Sequence, residues 1–505
     1  MCMKILDAPE IRKVDAYTIE NEPIKSIDLM ERAARQCFLS IKKRLKSRQR
    51  VMLFCGMGNN GGDGLAIARM LAGTGHEVEV YKVLHATQAS TDFLINEKRL
   101  EKVRRAKLFE LDKYSVLPEI EKNDLVIDAL FGSGLNRPLK GLPAKVVQHI
   151  NASGAVVVAI DLPSGLFCED NRGNDPQSII RADYTLTFQL PKLSFLLPGN
   201  DRYVGHWEVL DIGLHPEAIQ QAETKNYLLD VNGIKSFYHP RRKFSHKGHY
   251  GHALLLAGSY GKAGAAILAG HAALRTGVGL LTAHLPAGLV PIMQACLPEA
   301  MCTADEGHSI ITHPGDVSKF DAIAIGPGIG KDTQTANAFK LLIQNSTTPL
   351  LIDADGLNLL AENPTWMSFL PGGSILTPHP KEFERLAGKY NDDFERLEIA
   401  RAFALKYQVY LVLKGAHTMI VTPDGKTYFN TTGNPGMATG GSGDVLTGII
   451  LGWLAQGYAP LQSALMGVYL HGLAGDMAAS RMGFEGMLAG DIIFHLPKAI
   501  KRIFY

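Results

Sequence analysis

The sequence predicts an α/β protein built from two domains. Short runs rich in Val, Ile and Leu alternate with longer segments of helical period, which is the pattern of buried parallel strands covered by helices on both faces. At 505 residues, the chain is long for a single hydrophobic core. With 46% hydrophobic and 20% charged residues, its composition is that of an ordinary globular protein.

The predicted strands fall into two groups separated by a polar stretch. The first group lies at residues 51–55, 78–84, 124–129 and 155–160; the second lies at 252–257, 322–325, 350–353, 374–376 and 409–414, with helices at 264–276 and 332–343. Around residues 212 to 245 the apolar pattern gives way to polar sequence, followed by a stretch rich in Pro, Arg and Lys. We therefore predict one domain at residues 1–215 and another at 230–505.

Charge and cysteine content exclude several classes of protein. The formal net charge of +2 gives no field able to hold a polyanion, so nucleic acid is not an expected partner. The six cysteines form no CxxC pair and no His-Cys cluster, which indicates reduced thiols. The N-terminal residues lack the pattern of an export signal, and charged residues interrupt the most apolar region, residues 253–285. We expect a cytoplasmic protein without a membrane partner.

A glycine-rich segment follows the first predicted strand. Residues 56–64 read GMGNNGGDG and lead into a helical stretch at 65–71. Such a junction presents backbone N–H groups and a positive helix end to an anion. The acidic residue that a dinucleotide-binding dehydrogenase carries about 20 positions later is missing, since that region reads Val-Tyr-Lys. Hydride transfer is therefore not supported, and a purely structural glycine turn is the alternative.

Two more polar loops follow predicted strands in the first half. Asp128 ends one strand and precedes the loop at residues 131–138, and Asp161 begins the segment that contains Ser164. Taken alone, either aspartate is typical of a turn or a helix cap. Because open α/β sheets bind ligands at the carboxyl ends of their strands, three such loops together predict a cleft.

These motifs, GNNGGDGL, DALFGSGLNRP and IDLPSGL, resemble the epimerase domain of the NAD(P)H-hydrate repair family over residues 1 to 215. The resemblance implies a Rossmann-like three-layer sandwich, and a potassium ion held by Asn60, Asp128 and Ser164, whose oxygen ligands suit a hard cation. The residues that it implies for substrate binding are Asn59, Asn60, Gly61, Gly62, Asp63, Gly132, Ser133, Gly134, Leu135, Asn136, Arg137, Pro138 and Asp161.

Asp161 is the predicted catalytic carboxyl group of this domain. Inverting the hydrated carbon requires a group that gives a proton and later takes one. We expect burial in the cleft to raise the pKa of Asp161 toward neutrality, so that one carboxyl group serves both steps. Lys192 is a rival or an assistant in this role, and an ordinary surface or phosphate contact is its alternative.

In the second half, residues 434–448 read NPGMATGGSGDVLTG and open a predicted helix at 445–454. A run of small residues at a helix start lets several N–H groups converge on a transferring phosphoryl group. Asp444 lies at that start, where it is placed to take a proton from an attacking hydroxyl. The alternative is a structural turn with Asp444 as its helix cap. No Walker A sequence occurs.

The motifs GPGIG, DADGLN, TPHPKEF, KGAHT and TGGSGD occur in this order and resemble the ribokinase-like superfamily, and within it the NAD(P)H-hydrate dehydratases, over about residues 235 to 505. The resemblance implies a ribokinase-like α/β fold. His379 stands where many kinases of this superfamily carry Asn, which favours a dehydratase. Glu382 keeps the acidic position usually associated with magnesium.

The resemblance also implies the ligand contacts of this domain. For the hydrate they are Gly328, His379 and Asp444. For the nucleotide they are Lys414, Gly415, Ala416, His417, Thr418, Asn434, Gly440, Gly441, Ser442 and Gly443. The implied cofactor is Mg²⁺ with ADP or ATP, and the sequence does not separate these two nucleotides.

The expected function is repair of hydrated NAD(P)H. The N-terminal domain would interconvert the R and S hydrates, and the C-terminal domain would phosphorylate the hydroxyl of the S hydrate so that phosphate leaves. One alternative is a kinase of a small vitamin or sugar with an accessory domain, and another is a non-catalytic nucleotide-binding regulator. The expected partners are the hydrate and the nucleotide, and we expect a homo-oligomer.

Overall fold

The computed structural model describes residues 2–47 and 49–505. The described chain divides into two compact units. One contains residues 4–224 and 392–394, and the other contains residues 225–391 and 395–505 together with residues 2 and 3. The first strand among the described residues is β1 (Met3–Ile5).

The N-terminal unit alternates strands and helices. Its strands are β2 (Val51–Cys55), β3 (Val78–Val83), β4 (Ala106–Leu111), β5 (Leu125–Ala129), β6 (Val156–Ile160), β7 (Tyr184–Phe188) and β8 (His206–Leu210). Its helices are α1 (Ala8–Asn21), α2 (Ser26–Lys42), α3 (Asn59–Gly73), α4 (Thr91–Leu100), α5 (Leu142–Ser153), α6 (Asp201–Val204) and α7 (Pro216–Gln221).

The strands of this unit form a parallel sheet in the order β4-β3-β2-β5-β6-β7-β8. From β2 the chain builds outward through β3 to β4, and it then returns to place β5 on the other side of β2. This reversal creates a switch point between β2 and β5, where the two flanking loops part and leave a crevice.

Both faces of this sheet are covered. Along β2, Leu53 belongs to one apolar cluster with Ile127, whereas Phe54 belongs to a second cluster with Val126. Successive residues of a strand point to opposite faces, so the two clusters lie on opposite sides of the sheet. The predicted three-layer α/β sandwich is confirmed.

The C-terminal unit contains the remaining elements. Its strands are β9 (Asn226–Leu228), β10 (His252–Leu256), β11 (Leu280–Pro286), β12 (Met301–Asp305), β13 (Ala322–Ile325), β14 (Leu350–Ile352), β15 (Ile375–Leu376), β16 (Tyr410–Leu413), β17 (Met419–Val421) and β18 (Thr427–Phe429). Its helices are α8 (Val231–Lys235), α9 (Ala263–Thr276), α10 (Val290–Cys296), α11 (Thr333–Asn345), α12 (Ala354–Glu362), α13 (Pro380–Ala387), α14 (Asp393–Tyr407), α15 (Ser442–Ala455), α16 (Pro460–Met482) and α17 (Ala489–Phe504).

The second sheet has the strand order β1-β9-β18-β17-β16-β15-β14-β13-β10-β11-β12. The strands from β16 to β12 run parallel, whereas β17 is antiparallel to both of its neighbours. A second switch point therefore lies between β10 and β13, and the loops after β13, β14, β15 and β16 lie along one edge.

Every predicted strand is present, but two helices begin earlier than predicted. α3 starts at Asn59, so most of the predicted glycine loop forms the first turns of this helix. The glycines permit that close approach, because a Cβ on Gly61 would lie 1.8 Å from Gly56 O and one on Gly64 would lie 2.6 Å from the Ala129 Cβ. α15 likewise begins at Ser442 instead of residue 445.

Across the described ranges, no helix combines the length and the apolar character needed to cross a membrane.

Candidate active sites

The N-terminal candidate site lies at the switch point of the first sheet. α3 begins shortly after β2, Asp128 is a residue of β5, and Asp161 follows β6. Because these three strands are neighbours in a parallel sheet, their carboxyl ends bring the predicted loops to one edge.

Asn60 and Asp63 lie on the same face of α3, because residues three apart in a helix are neighbours. A Cβ built on Gly132 would lie 3.2 Å from Asn60 Oδ1 and 3.0 Å from Asp161 Oδ2. Gly132 therefore allows the amide of Asn60 and the carboxylate of Asp161 to approach one point. The Asn60 Nδ2 is buried and has no hydrogen-bond partner among the described residues, which leaves a donor for a ligand.

Asp161 is held by three donors. The Ser133 N–H donates to its Oδ2 at 3.0 Å, the Thr187 hydroxyl donates to its Oδ1 at 3.3 Å, and the Lys192 ammonium lies 3.1 Å from that Oδ1. The backbone φ of Asp161 is +63°, a left-handed conformation that few residues other than glycine adopt. Such strained residues cluster at functional sites, because the surrounding structure must hold them in place.

Lys192 is a buried ion-pair partner, which corrects its predicted alternative as a surface or phosphate contact. Its side chain is 1% exposed. Besides the contact with Asp161, the ammonium donates to Thr187 Oγ1 at 2.9 Å and to Leu190 O at 3.1 Å. These contacts account for all three of its protons.

The predicted rise in the pKa of Asp161 is wrong. Burial raises this pKa, but the Lys192 ammonium and the hydrogen bonds to Ser133 lower it by more, so the net shift is downward. Asp161 is therefore an ionised carboxylate near neutral pH and does not store the proton that epimerisation needs.

Two other carboxyl groups near Asp161 have raised pKa values. Burial, followed by the charges of Asp161 and Asp15, raises the pKa of Asp63 well above its usual range. Burial and the charge of Asp161 raise the pKa of Asp15 to about 6. Asp15 was not predicted as a site residue, because it lies within α1 and outside every glycine-rich or strand-end motif.

Asp128 and Ser164 are joined directly. The Ser164 hydroxyl donates to Asp128 Oδ1 at 2.6 Å, and the Ser164 N–H donates to Asp128 Oδ2 at 2.7 Å. Asp128 is fully buried, and burial raises its pKa to about 6. Among the described residues no Lys or Arg forms an ion pair with this carboxylate.

The loop at residues 132–138 lies beside this site and is partly open to solvent. Ser133 contacts Asp161 through its backbone, whereas Gly134, Asn136 and Arg137 are exposed. Exposed groups of this kind are available to a ligand that enters the crevice.

The C-terminal candidate site is a cleft of about 980 Å³. It lies at the N-terminal end of α15 and beside the ends of β14 and β16. The predicted residues that line it are His379, Lys414, Gly415, Ala416, His417, Thr418, Asn434, Gly441, Ser442, Gly443 and Asp444. Of the predicted set, Gly328 and Gly440 are not among the described lining residues.

Lys414 and Asp353 form an ion pair on the wall of this cleft. The Lys414 Nζ lies 2.9 Å from Asp353 Oδ1 and 4.0 Å from Glu382 Oε2, and the Thr447 hydroxyl donates to Asp353 Oδ2 at 2.8 Å. Burial lowers the pKa of Lys414, but the charges of Asp353 and Glu382 raise it by more, so the ammonium stays charged. Asp353 belongs to the DADGLN motif, but no role was predicted for it from the sequence.

Asp444 lies in the first turn of α15, whose cap is Gly441 in a left-handed conformation with φ +87°. The alternative that placed Asp444 at the helix cap is therefore wrong, because glycine takes the positive φ that this turn requires. Burial and the charge of Asp353 raise the pKa of Asp444 to about 6, against the opposing effect of Lys414. Such a carboxylate is poised to accept a proton near neutral pH.

His379 is the N-terminal cap of α13 and faces the same cleft. Its Nδ1 accepts hydrogen bonds from the Lys381 N–H at 3.1 Å and the Glu382 N–H at 3.4 Å, while its Nε2 lies 3.4 Å from Glu382 Oε1. Capping uses Nδ1 as an acceptor, so Nε2 is the nitrogen left to contact a ligand or Glu382.

Gly328 lies in a neighbouring group of loops at the second switch point. A Cβ built on Gly328 would lie 3.0 Å from Lys262 O, and the Lys262 Nζ forms an ion pair with Asp355 Oδ2 at 3.1 Å. Asp355 also accepts a hydrogen bond from the Gly330 N–H at 2.9 Å. These contacts tie the loops after β10, β13 and β14 together.

No group of three or more His, Cys, Asp or Glu side chains among the described residues is arranged to hold a metal ion.

Two family models match the chain. The model described as YjeF-related protein N-terminus matches residues 26–194, and the model described as NAD(P)H-hydrate dehydratase matches residues 253–498. Together they cover both candidate sites.

Full-length relatives match over almost the whole chain. The bifunctional NAD(P)H-hydrate repair enzyme of Moorella thermoacetica is 39% identical over 520 residues, covering 99% of this chain and 97% of the relative. The enzyme of that name from Escherichia coli is 33% identical over 496 residues, covering 98% and 93%.

A solved structure matches the C-terminal part alone. It is a ribokinase-like superfamily protein from Enterococcus faecalis, with a TM-score of 0.50 and 30% identity, and the match covers 56% of this chain and 98% of that one. The predicted ribokinase-like fold is confirmed. On the evidence of both family models and the full-length relatives, the chain belongs to the family of bifunctional NAD(P)H-hydrate repair enzymes, with an epimerase domain followed by an ADP- or ATP-dependent dehydratase domain.

Proposed function

We propose that the two candidate sites divide the repair of hydrated NAD(P)H between them. The epimerase, at residues 1–215, interconverts the R and S hydrates at the crevice around Asp161. The dehydratase, at residues 230–505, converts the S hydrate to NAD(P)H in the cleft around Asp444. The single observation that carries this assignment is the position of Asp444, a half-buried carboxyl group with a pKa of about 6 at the glycine-rich start of α15.

In the dehydratase, Asp444 takes the proton of the hydrate hydroxyl while the hydroxyl oxygen attacks the terminal phosphorus of ADP or ATP. The bond from phosphorus to the bridging oxygen breaks, and the backbone N–H groups at the start of α15 stabilise the charge that develops. The ring nitrogen then expels the new phosphate, and loss of a proton from the adjacent carbon completes NAD(P)H.

The nucleotide would lie along the cleft walls that contain Lys414 to Thr418, Asn434 and Gly441 to Gly443, with Gly440 directly before them in the chain. Lys414 is charged, and its ammonium lies close to Gly443, where a Cβ would be only 3.4 Å away. A phosphate at the start of α15 would therefore contact both the ammonium and the helix N-terminus. Gly328 and His379 would contact the hydrate.

Magnesium would enter with the nucleotide. Asp353 and Asp444 line the cleft, and Glu382 Oε2 lies 4.0 Å from the Lys414 Nζ on its wall. Because Mg²⁺ prefers oxygen ligands, these carboxylates would hold it together with the phosphate oxygens of the nucleotide. When bound, Mg²⁺ neutralises charge on the transferring phosphoryl group.

In the epimerase, Asn60, Asp128 and Ser164 would hold potassium. Asp128 fits this role because it is a fully buried carboxylate without an Lys or Arg partner among the described residues. One full charge with neutral oxygen ligands suits a monovalent ion better than a divalent one. When bound, potassium supplies the positive charge that a buried carboxylate otherwise lacks.

The ionised Asp161 would face the reacting ring, where it stabilises the positive charge that develops when hydroxide leaves and takes a proton from the incoming water. Asn59 to Asp63 and Gly132 to Pro138 would bind the rest of the hydrate.

Recovery of absorbance at the reduced-nicotinamide band tests the proposal. A mixture of both hydrate epimers is incubated with the full chain, Mg²⁺ and either ADP or ATP. We expect the absorbance to recover only when nucleotide is present. The amount of NAD(P)H formed should exceed the amount of S hydrate in the starting mixture. A stable phosphorylated product without recovery would instead indicate a kinase.

A further inference from the structure

The epimerase site contains an ionised carboxylate but needs a proton donor. Both oxygens of Asp161 already accept hydrogen bonds, and Lys192 keeps the group ionised. Lys192 itself has all three ammonium protons engaged, by Asp161, Thr187 and Leu190. Hydroxide is a poor leaving group at neutral pH, so another group must protonate it.

Asp63 has the placement that a donor needs. It lies three residues after Asn60, on the same face of α3. The Asn60 amide and the Asp161 carboxylate both lie next to Gly132. Asp63 is 7% exposed, and burial is the largest of the effects that raise its pKa. A buried acid is costly to ionise, so it stays neutral.

We propose that Asp63 is the proton donor of epimerisation and that Asp161 is the proton acceptor. This inference rests on the proposed epimerase function and assigns the two halves of its proton transfer.

On this assignment, epimerisation takes place in two steps. The carbon–oxygen bond of the hydrate breaks as its oxygen takes the proton of Asp63, and the lone pair of the ring nitrogen forms a carbon–nitrogen double bond. A water molecule then adds to the opposite face of that carbon, the double-bond electrons return to nitrogen, and the proton of the water passes to Asp161. Asp161 then releases this proton to solvent, because Lys192 favours its ionised form, and Asp63 takes a proton from solvent.

The charges around Asp63 support this division. The carboxylates that act on it are Asp161, Asp15, Asp92 and Glu31, and the Cys37 and Cys55 thiols lie within the range of its charge. Burial and these negative groups raise the pKa of Asp63, whereas Lys192 lowers that of Asp161. Two carboxyl groups whose surroundings push their pKa values apart are the pattern of an acid and base pair.

Asp15 is the rival donor, since its pKa is raised to about 6 and it interacts with both Asp161 and Lys192. It lies on α1, whereas Asn60 and Asp63 lie on α3. An experiment distinguishes Asp15 from Asp63 as the proton donor.

The test compares Asp63→Asn, Asp15→Asn and the control Asp92→Asn in the full chain. Asp92 is another buried carboxyl group, on α4, but it accepts a hydrogen bond from the Ser26 hydroxyl at 2.5 Å. The exchange of R and S hydrates is followed by chiral chromatography between pH 5 and 9. We expect Asp63→Asn to slow exchange on the order of 10²–10⁴-fold and to abolish the fall in rate at alkaline pH, because loss of a general acid has that effect. Asp92→Asn should keep the rate near neutral pH and keep the alkaline fall, which moves to lower pH because the charge of Asp92 is one of those that raise the pKa of Asp63.

A folding measurement keeps the test decisive. Because the pKa of Asp63 is higher in the folded state, ionisation favours the unfolded state as pH rises above the unfolded pKa of about 4. The unfolding temperature of Asp63→Asn should therefore exceed that of the wild type by a margin that grows with pH, which also shows that the variant folds. If wild type exchanges the epimers but Asp63→Asn does so equally fast, or if only Asp15→Asn is inactive, the inference is overturned. If wild type exchanges no epimers, the proposed function itself fails.

Discussion

The Lys192 ammonium lies 3.1 Å from the carboxylate of Asp161, and both side chains are buried. This ion pair determines which proton states the epimerase site offers. Burial alone would raise the pKa of Asp161, and Lys192 reverses that direction.

Lys192→Met should raise the pKa of Asp161. Without the ammonium, burial is the largest effect left, so Asp161 takes up a proton at higher pH and loses its role as a base. We expect slower epimer exchange and an acid limb of the pH profile that moves to higher pH, measured by chiral chromatography. Lys82→Met is the control, because this substitution on β3 also removes a lysine ammonium, which pairs with Glu97 and Glu110. An unchanged acid limb in Lys192→Met would contradict this role.

Stability should change in the same variant. A folded-state pKa below the unfolded value stabilises the protein above the unfolded pKa, and that contribution is lost as pH falls through the folded pKa. Wild type should thus lose more stability on acidification below about pH 4 than Lys192→Met loses. Thermal unfolding between pH 3 and 7 measures the difference.

Asp444→Asn should lose dehydration and keep nucleotide binding, because asparagine keeps the size of the side chain but not its basicity. The loss of a positioned general base costs on the order of 10²–10⁴-fold in rate. Turnover is followed by absorbance of the reduced nicotinamide, and ATP binding by calorimetry. Near-normal turnover would remove Asp444 from the mechanism.

The pH profile of the wild-type dehydratase gives a check on the same residue. Because Asp444 must be ionised to take a proton and its pKa is about 6, the rate should rise with pH through about 6. The charge of Lys414 lowers the pKa of Asp444, so its removal should move the rise in dehydration rate to higher pH.

Potassium should activate epimerisation more than a smaller monovalent ion does, because neutral oxygen ligands with one carboxylate suit a large, weakly hydrated cation. Asp128→Ala should remove the difference between the ions. Exchange rates are compared in potassium and lithium salts at equal ionic strength. The control is Asp124→Ala, a buried aspartate that an Arg50 ion pair already neutralises. Equal rates in both salts for wild type would contradict the potassium site.

A C-terminal fragment that begins at residue 225 should be more stable than one that begins at residue 230, and should therefore bind nucleotide better. β9 (Asn226–Leu228) pairs in parallel with β18, and the Leu229 N–H donates to Phe429 O at 2.8 Å. Cutting at 230 removes this strand and exposes an edge of the sheet. Thermal unfolding with and without ATP measures the difference, and equal stability of the two fragments would contradict it.

The central strands could be predicted from sequence because they are buried on both faces and read as unbroken apolar runs, as β2 and β13 do. Some strands that lack this signal were not predicted. β4 and β12 are edge strands with several exposed residues, and β7 is rich in Thr. Such strands owe their formation to pairing with neighbours, which one sequence does not reveal.

The loops of the candidate sites were predicted because glycine, asparagine and aspartate stand out after strand ends. The burial of each side chain and the charges around it could not be predicted in the same way. Lys192 stood in an unremarkable Leu-Pro-Lys-Leu segment, and Asp15 lay within a helix of mixed composition. Their effects depend on burial and on charges distant in sequence, so the direction of the Asp161 pKa could not be read from the motif.

The most direct test follows both epimers through the full chain at once. An equal mixture of R and S hydrates is given to wild type, Asp161→Asn and Asp444→Asn, with Mg²⁺ and nucleotide. We predict that wild type converts the whole mixture to NAD(P)H and that Asp161→Asn consumes the S hydrate and leaves the R hydrate. Asp444→Asn should convert neither to NAD(P)H while still exchanging the two. If Asp161→Asn converts the whole mixture at the wild-type rate, the division of the repair between the two sites is contradicted.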